Sequence, residues 1–141
     1  MSNYSHWVTF VKIPKTASGT CYLSELANKV EVRVGPALEL LPQLSAEHRP
    51  PFDLIFIDAD KPNIPNYFTW ALKLARVGTV IIVDNVVRKG TVIDAASDDA
   101  NVQGVRRFIE LVSRESRVTA ATLQTVSSKG YDGFTTVVVT A

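Results

Sequence analysis

Residues 52–61 read FDLIFIDADK. Five of the first six residues are apolar, and then come two aspartates flanking one alanine, and a lysine. A strand over 53–58 this continuously apolar is expected to be covered on both faces, as in a parallel sheet with helices on each side. Residues 78–85, GTVIIVDN, repeat the pattern: a buried strand over 79–84 stops at an acid, Asp84, followed by Asn85. Between the two runs, Tyr67, Trp70, Ala71 and Leu74 recur at i, i+3, i+4 and i+7. That spacing predicts a helix over 63–76 with one apolar face, ended by Gly78.

The flanking segments extend the alternation. Residues 7–13, WVTFVKI, read as a strand ended by Pro14, and 15–28 as a weak helix. Residues 30–34, VEVRV, form a half-exposed strand before the Gly35-Pro36 turn. Residues 37–44, ALELLPQL, give one or two helical turns interrupted by Pro42. After a loop over 86–97, Ser97 is the expected N-cap of a helix that runs to about residue 115, with Val102, Val105, Ile109 and Val112 inward. Strands over 117–126 and 134–140 flank the turn SSKGYDG and should pair antiparallel at one edge. This alternation is the signature of an α/β sheet, here as a single domain over 1–141.

Composition sets the bounds. The chain has 141 residues, 46% of them apolar and 21% charged, enough for a real core. The net charge of +1 gives no basic field for nucleic acid. No apolar run is long enough to cross a bilayer, so no membrane is expected. One cysteine, Cys21, excludes an intrachain disulfide framework, and a reducing, cytoplasmic home is the default. MSNYSHWVTF lacks the features of a signal peptide. With two histidines and no CxxC or HExxH, a structural zinc site is not expected.

In open α/β sheets, ligands bind at the carboxyl ends of the strands. Asp58 and the Asp84-Asn85 pair sit at such ends. If the strands are neighbours, two carboxylates and an amide oxygen converge, a donor set for Mg²⁺ or another hard divalent cation. Lys61 would lie at the rim, where a lysine beside a cation-bound hydroxyl can act as general base. Acids also end strands when they merely cap the next helix or face water, but two strand ends carrying D-x-D-K and D-N together favour a site. A phosphoacceptor aspartate of the receiver-domain kind would need an acid pair after the first strand, and that strand ends in Lys12-Ile13-Pro14.

IDADK followed by a tyrosine-bearing helix, then VDN, an R-R-F helix and a late DGFT resembles the metal-dependent class I O-methyltransferases, the caffeoyl-CoA and catechol O-methyltransferase family. The likeness runs from about Val30 to Ala141, and more weakly back to Trp7. It implies a Rossmann-like sheet, mostly parallel with an antiparallel carboxyl-terminal edge pair. The family's first strand and glycine-rich turn are missing; ASGT (17–20) is a poor substitute, and Lys12 stands where the family has an acid. The resemblance also implies roles. Asp58, Asp84 and Asn85 match metal ligands, and Lys61 matches the general base. Ala37, Asp60 and Tyr67 match positions that contact S-adenosylmethionine, and Arg88 and Lys89 fall where the family meets its acceptor.

The implied reaction is methyl transfer from S-adenosylmethionine to one of two vicinal hydroxyls on a small aromatic, catechol-like acceptor. The alternative is an inactive remnant serving as a binding or dimerisation module. Without the first strand, two sheet edges stay unpaired, and exposed edges invite association. The strands could close up, another chain could fill the gap, or the sequence could belong to a longer protein. The expected assembly is a homodimer.

Overall fold

The computed structural model describes residues 8–11, 30–128 and 130–141. The expected helix over 15–28, Lys12 and ASGT lie outside the described residues. The chain forms two compact units, Met1–Arg49 and Pro50–Ala141.

In the first unit, β1 (Val8–Val11) pairs parallel with β2 (Val30–Arg33), Val8 opposite Val30. Helix α1 (Ala37–Ala46) follows the Gly35-Pro36 turn, and Leu44 is its buried residue. Pro42 lies inside α1 without ending it, contrary to the sequence expectation. A proline removes one donor and kinks a helix, but a short helix can continue past that loss. Arg33 and Arg49 each bridge Glu31 and Glu47 at 2.6–2.7 Å. The hydrogen bond from Arg33, with Arg49 adding to it, brings the Glu47 carboxyl down to about 2, and the same two guanidiniums lower Glu31. The folded-state values lie below those of the unfolded chain. The network's stabilisation is therefore full above about pH 4.3, the free glutamate value, and is lost as pH falls toward 2. Thermal melts should show Glu47→Gln below wild type at pH 6 and level with it near pH 2; a difference unchanged with pH would refute the assignment.

In the second unit, β3 (Phe52–Ile57), β4 (Ala75–Asp84), β5 (Val118–Ser127) and β6 (Gly130–Val139) form one sheet in the order β3-β4-β6-β5. β3 and β4 run parallel; β6 pairs antiparallel with both β4 and β5. The carboxyl-terminal pair thus has the expected direction, and both strands extend further into the stretch SSKGYDG than expected. Helix α2 (Ile64–Leu74) and helix α3 (Ala100–Arg114) cover one face. That face carries Ile57, Ile81, Val83, Thr135 and Val137, all buried. Phe68 of α2 and Phe108 of α3 meet edge to face at 5.4 Å and close the core.

Four expectations change here. The buried stripe of α2 is Ile64, Tyr67, Phe68 and Ala71, while Trp70 and Leu74 are half-buried. The periodicity was right, but the buried stripe lies one turn, three residues, earlier. In α3, Phe108 takes the inward place expected for Ile109, which is 40% exposed, and Asp99 rather than Ser97 is the N-cap, accepting from Asn101 N–H at 2.8 Å. α2 ends at Leu74, so Gly78 does not end it. Gly78 (φ 90°) instead lies in an irregular start of β4, where the register with β3 slips between Phe52 and Leu54. Buried Thr79 pins that slip by accepting from Arg76 N–H and donating to the Phe52 carbonyl at 2.6 Å.

β3 also departs from the expectation of two covered faces. Leu54 and Phe56 are 59% and 56% exposed. Among the described residues β3 ends the sheet order, and both helices of this unit lie on one face, so the residues alternating with that face, among them Leu54, Phe56, Leu123 and Val138, are exposed. Among the described residues, no helix is long and apolar enough to cross a membrane.

Candidate functional site

The parallel register sets Ile57 beside Val83, so the next residues, Asp58 and Asp84, emerge side by side at the carboxyl ends of adjacent strands. Lys61 opens a short 3₁₀ turn (Lys61–Asn63), with Pro62 supplying a pre-set φ. Its Nζ donates to Asp58 Oδ1 at 3.4 Å and to the Asp84 carbonyl at 3.1 Å. One ammonium group therefore ties both strand ends together. Lys61 is 7% exposed, so it is buried rather than at the rim. The reason is helix α3. Gly104 packs on the Lys61-Pro62 backbone so closely that an added Cβ would lie 2.7 Å from Pro62 Cα and nearer still to the Lys61 carbonyl.

Asn85 holds a left-handed backbone (φ 58°), and its N–H donates to Asp84 Oδ1 at 2.7 Å. Asparagine tolerates that conformation better than most residues. Asp58, Asp84 and Asn85 thus lie together, with Lys61 against the first two. Among the described residues there is no cluster of three His, Cys, Asp or Glu. The candidate set has two carboxylates and an amide, all oxygen donors, which suits a hard divalent cation that keeps part of its shell for other oxygens.

Asp60, Asn63 and Tyr67 form a second group, one turn away. Tyr67 Oη donates to Asp60 Oδ1, and Asn63 Nδ2 donates to Asp60 Oδ2 at 2.6 Å. Burial of the phenol, reinforced by the Asp60 carboxylate, pushes Tyr67 well above the usual tyrosine range. Tyr67 therefore stays a donor at neutral pH, and Asp60 is held as an acceptor-rich group at the surface. Ala37, the first residue of α1, belongs to the other unit.

The loop after Asn85 is strained. Arg88 (φ 51°) and Lys89 (φ 54°) are also left-handed, beside Gly90 (φ 83°). Each non-glycine residue in that region costs roughly 1–2 kcal/mol. The start of β6 offsets this. Asp132 Oδ1 accepts from Val87 N–H at 3.1 Å, Arg88 N–H at 2.9 Å and Gly133 N–H at 2.9 Å. Val86 N–H donates to the Gly133 carbonyl at 3.0 Å, and Tyr131 Oη to the Lys89 carbonyl at 2.6 Å. Gly133 has to be glycine, because a Cβ there would overlap the Leu123 carbonyl oxygen of the paired strand and lie 2.5 Å from Val87 Cγ2. Sequence reading noted DGFT only as part of a resemblance and missed this hold on the loop. It also missed Gly104, although a glycine inside a periodic helix hints at close packing.

The O-methyltransferase family model matches residues 16–137. A catechol O-methyltransferase from Niastella koreensis is 48% identical over 114 residues, 81% of this chain and 52% of that one. Another from Mycobacterium tuberculosis is 50% identical over 109 residues, 77% of this chain and 48% of that one. The crystal structure of an O-methyltransferase from Bacillus cereus, in complex with SAH, superposes with a TM-score of 0.91 at 54% identity, over 94% of this chain and 62% of that chain. TomG from Streptomyces achromogenes, an O-methyltransferase involved in tomaymycin synthesis and solved with SAM, has a TM-score of 0.79 at 56% identity, over 82% of this chain and 52% of that chain. The chain spans about half the length of the curated relatives it matches. By family-model match, identity and fold, this chain belongs to the O-methyltransferase family.

Proposed function

We propose that this chain carries the metal- and acceptor-facing part of an S-adenosylmethionine-dependent O-methyltransferase that acts on a catechol-like vicinal hydroxyl. The observation that carries the reading is the position of Lys61: one buried ammonium spans the ends of two adjacent strands, 3.4 Å from Asp58 and 3.1 Å from the Asp84 carbonyl. In this reading Asp58, Asp84 and Asn85 hold Mg²⁺ or another divalent cation. A divalent cation held by these residues would supply Lewis-acid chemistry that eases loss of a proton from an acceptor hydroxyl.

Lys61 Nζ, after releasing its own ammonium proton to solvent, takes that proton. The acceptor oxygen then bonds to the methyl carbon as the carbon–sulfur bond breaks, and the sulfonium leaves as a neutral thioether. Within the second unit, Asp60 and Tyr67 contact the cofactor, with Tyr67 and Asn63 holding the Asp60 carboxylate. Positioning of the two reactants supplies much of the rate. The exposed apolar residues Leu54 and Phe56 on the sheet favour a second reading, an inactive binding or dimerisation module, because grouped exposed apolar residues mark a place for a partner.

Titration calorimetry of the purified chain with S-adenosylmethionine, with and without Mg²⁺, separates the two. Micromolar binding supports the enzyme reading; no heat from a folded chain supports the module. For the metal part, Mg²⁺ at about 100 times its Kd should stabilise wild type by about 2.7 kcal/mol, roughly 8 °C in Tm for a chain of this size. Asp84→Ala should abolish the shift. A wild-type Tm indifferent to Mg²⁺ would count against the metal assignment.

A further inference from the structure

We infer that Asp132 is a positioning residue: its carboxylate sets the conformation of the 85–90 loop, and through it the placement of the Asn85 amide and of Arg88 and Lys89. The inference rests on the reading above, which gives Asn85 and the loop their roles but gives Asp132 none.

A single oxygen, Asp132 Oδ1, collects three backbone N–H groups: two from the loop, Val87 and Arg88, and one from its own strand, Gly133. The loop that reaches this oxygen follows a left-handed path at Asn85, Arg88 and Lys89. Conformations so sparsely populated persist when the surroundings over-determine them, and they gather where geometry matters for function. Here the over-determination comes from three consecutive residues. Tyr131 holds the Lys89 carbonyl, Asp132 holds two N–H groups, and the Gly133 carbonyl takes Val86 N–H. The contacts are to backbone, so they fix where the loop runs whatever side chains it bears. Those of Asp132 span 44 and 45 residues of sequence, and they come from a strand that also pairs Phe134 with Asp84. The strand that carries Asp84 and the loop that follows it are thereby referenced to one frame.

The Asp60–Tyr67 group is set by its own hydrogen bond, which predicts a split between ligands. Outer partners of a metal ligand typically affect metal affinity 10- to 100-fold, so Asp132→Ala should raise the Kd for Mn²⁺ by about that factor while the Kd for S-adenosylmethionine stays within about twofold. Asp132→Asn keeps the Oδ1 acceptor and should return the Mn²⁺ Kd to within about threefold of wild type. Asp132 is half-buried in a surface hairpin, so both variants are expected to fold.

The test is calorimetric titration of the whole chain and both variants with Mn²⁺ and with S-adenosylmethionine, alongside amide exchange at Val87 and Arg88. Selective loss of Mn²⁺ affinity in Asp132→Ala, restored in Asp132→Asn, upholds the inference. Unchanged Mn²⁺ affinity in Asp132→Ala overturns it, as does an equal loss toward both ligands, which would mark a merely structural role. If wild type binds no Mn²⁺, the metal reading fails, and amide exchange alone decides this inference. Faster exchange at Val87 and Arg88 in Asp132→Ala, but not in Asp132→Asn, upholds it; unchanged exchange overturns it.

Discussion

Lys61→Met is expected to lower kcat by about 10²- to 10⁴-fold, the usual contribution of a positioned general base. Methionine keeps an unbranched stem in the buried channel, so the fold should hold, and S-adenosylmethionine affinity should change little. Lys61→Arg is the sharper variant. Arginine keeps the positive charge beside Asp58 but cannot give up its proton under ordinary conditions, so it cannot serve as a base. Its kcat should fall nearly as far as that of Lys61→Met. Steady-state kinetics with a catechol acceptor reads the result. If Lys61→Arg keeps kcat within about tenfold of wild type, the position needs charge rather than basicity, and the proton-acceptor role is wrong.

Gly104→Ala should be the most damaging single-methyl substitution in the second unit. Two effects oppose each other. Alanine gains about 1 kcal/mol over glycine in a helix interior. Against that, the new Cβ would overlap the Lys61 carbonyl and lie 2.7 Å from Pro62 Cα. Both are backbone atoms, so no side-chain rotation relieves the clash, and α3 must move off the 61–63 turn. Overpacking of this kind outweighs the propensity gain, and a net loss of about 3 kcal/mol is expected, roughly 10 °C in Tm. The same shift would pull Lys61 away from Asp58 and Asp84, so kcat should drop further than the loss of folded protein explains. A Tm equal to wild type or above it would show that the contact is looser than the geometry indicates.

Much of this protein is written locally. The apolar runs before Asp58 and Asp84 declare two strands, and the strand rule alone puts both acids at carboxyl ends. The 3.6-residue rhythm declares α2 and α3 within a few residues of their limits. The candidate metal donors and Lys61 were therefore legible, because each is adjacent in sequence to a strong local signal. The misjudged details are those that depend on a neighbour. Phe108 beat Ile109 to the core because Phe68 offers an edge to pack on. The helix end went to Leu74 and the glycine to a strand irregularity because Thr79 ties Arg76 to Phe52 across β3 and β4.

The sequence by itself determined the strand ends, the charges they carry and the family pattern, because those follow from periodicity and residue chemistry over fewer than a dozen positions. Only the tertiary structure decided that Lys61 is buried between Asp58 and Asp84, that Asp60 is held by Tyr67, and that Asp132 binds the loop 44 and 45 residues earlier in the chain. These are hydrogen bonds between segments brought together by strand register and helix packing. Such encounters leave no trace in local periodicity, since their cause is the fold that joins the partners.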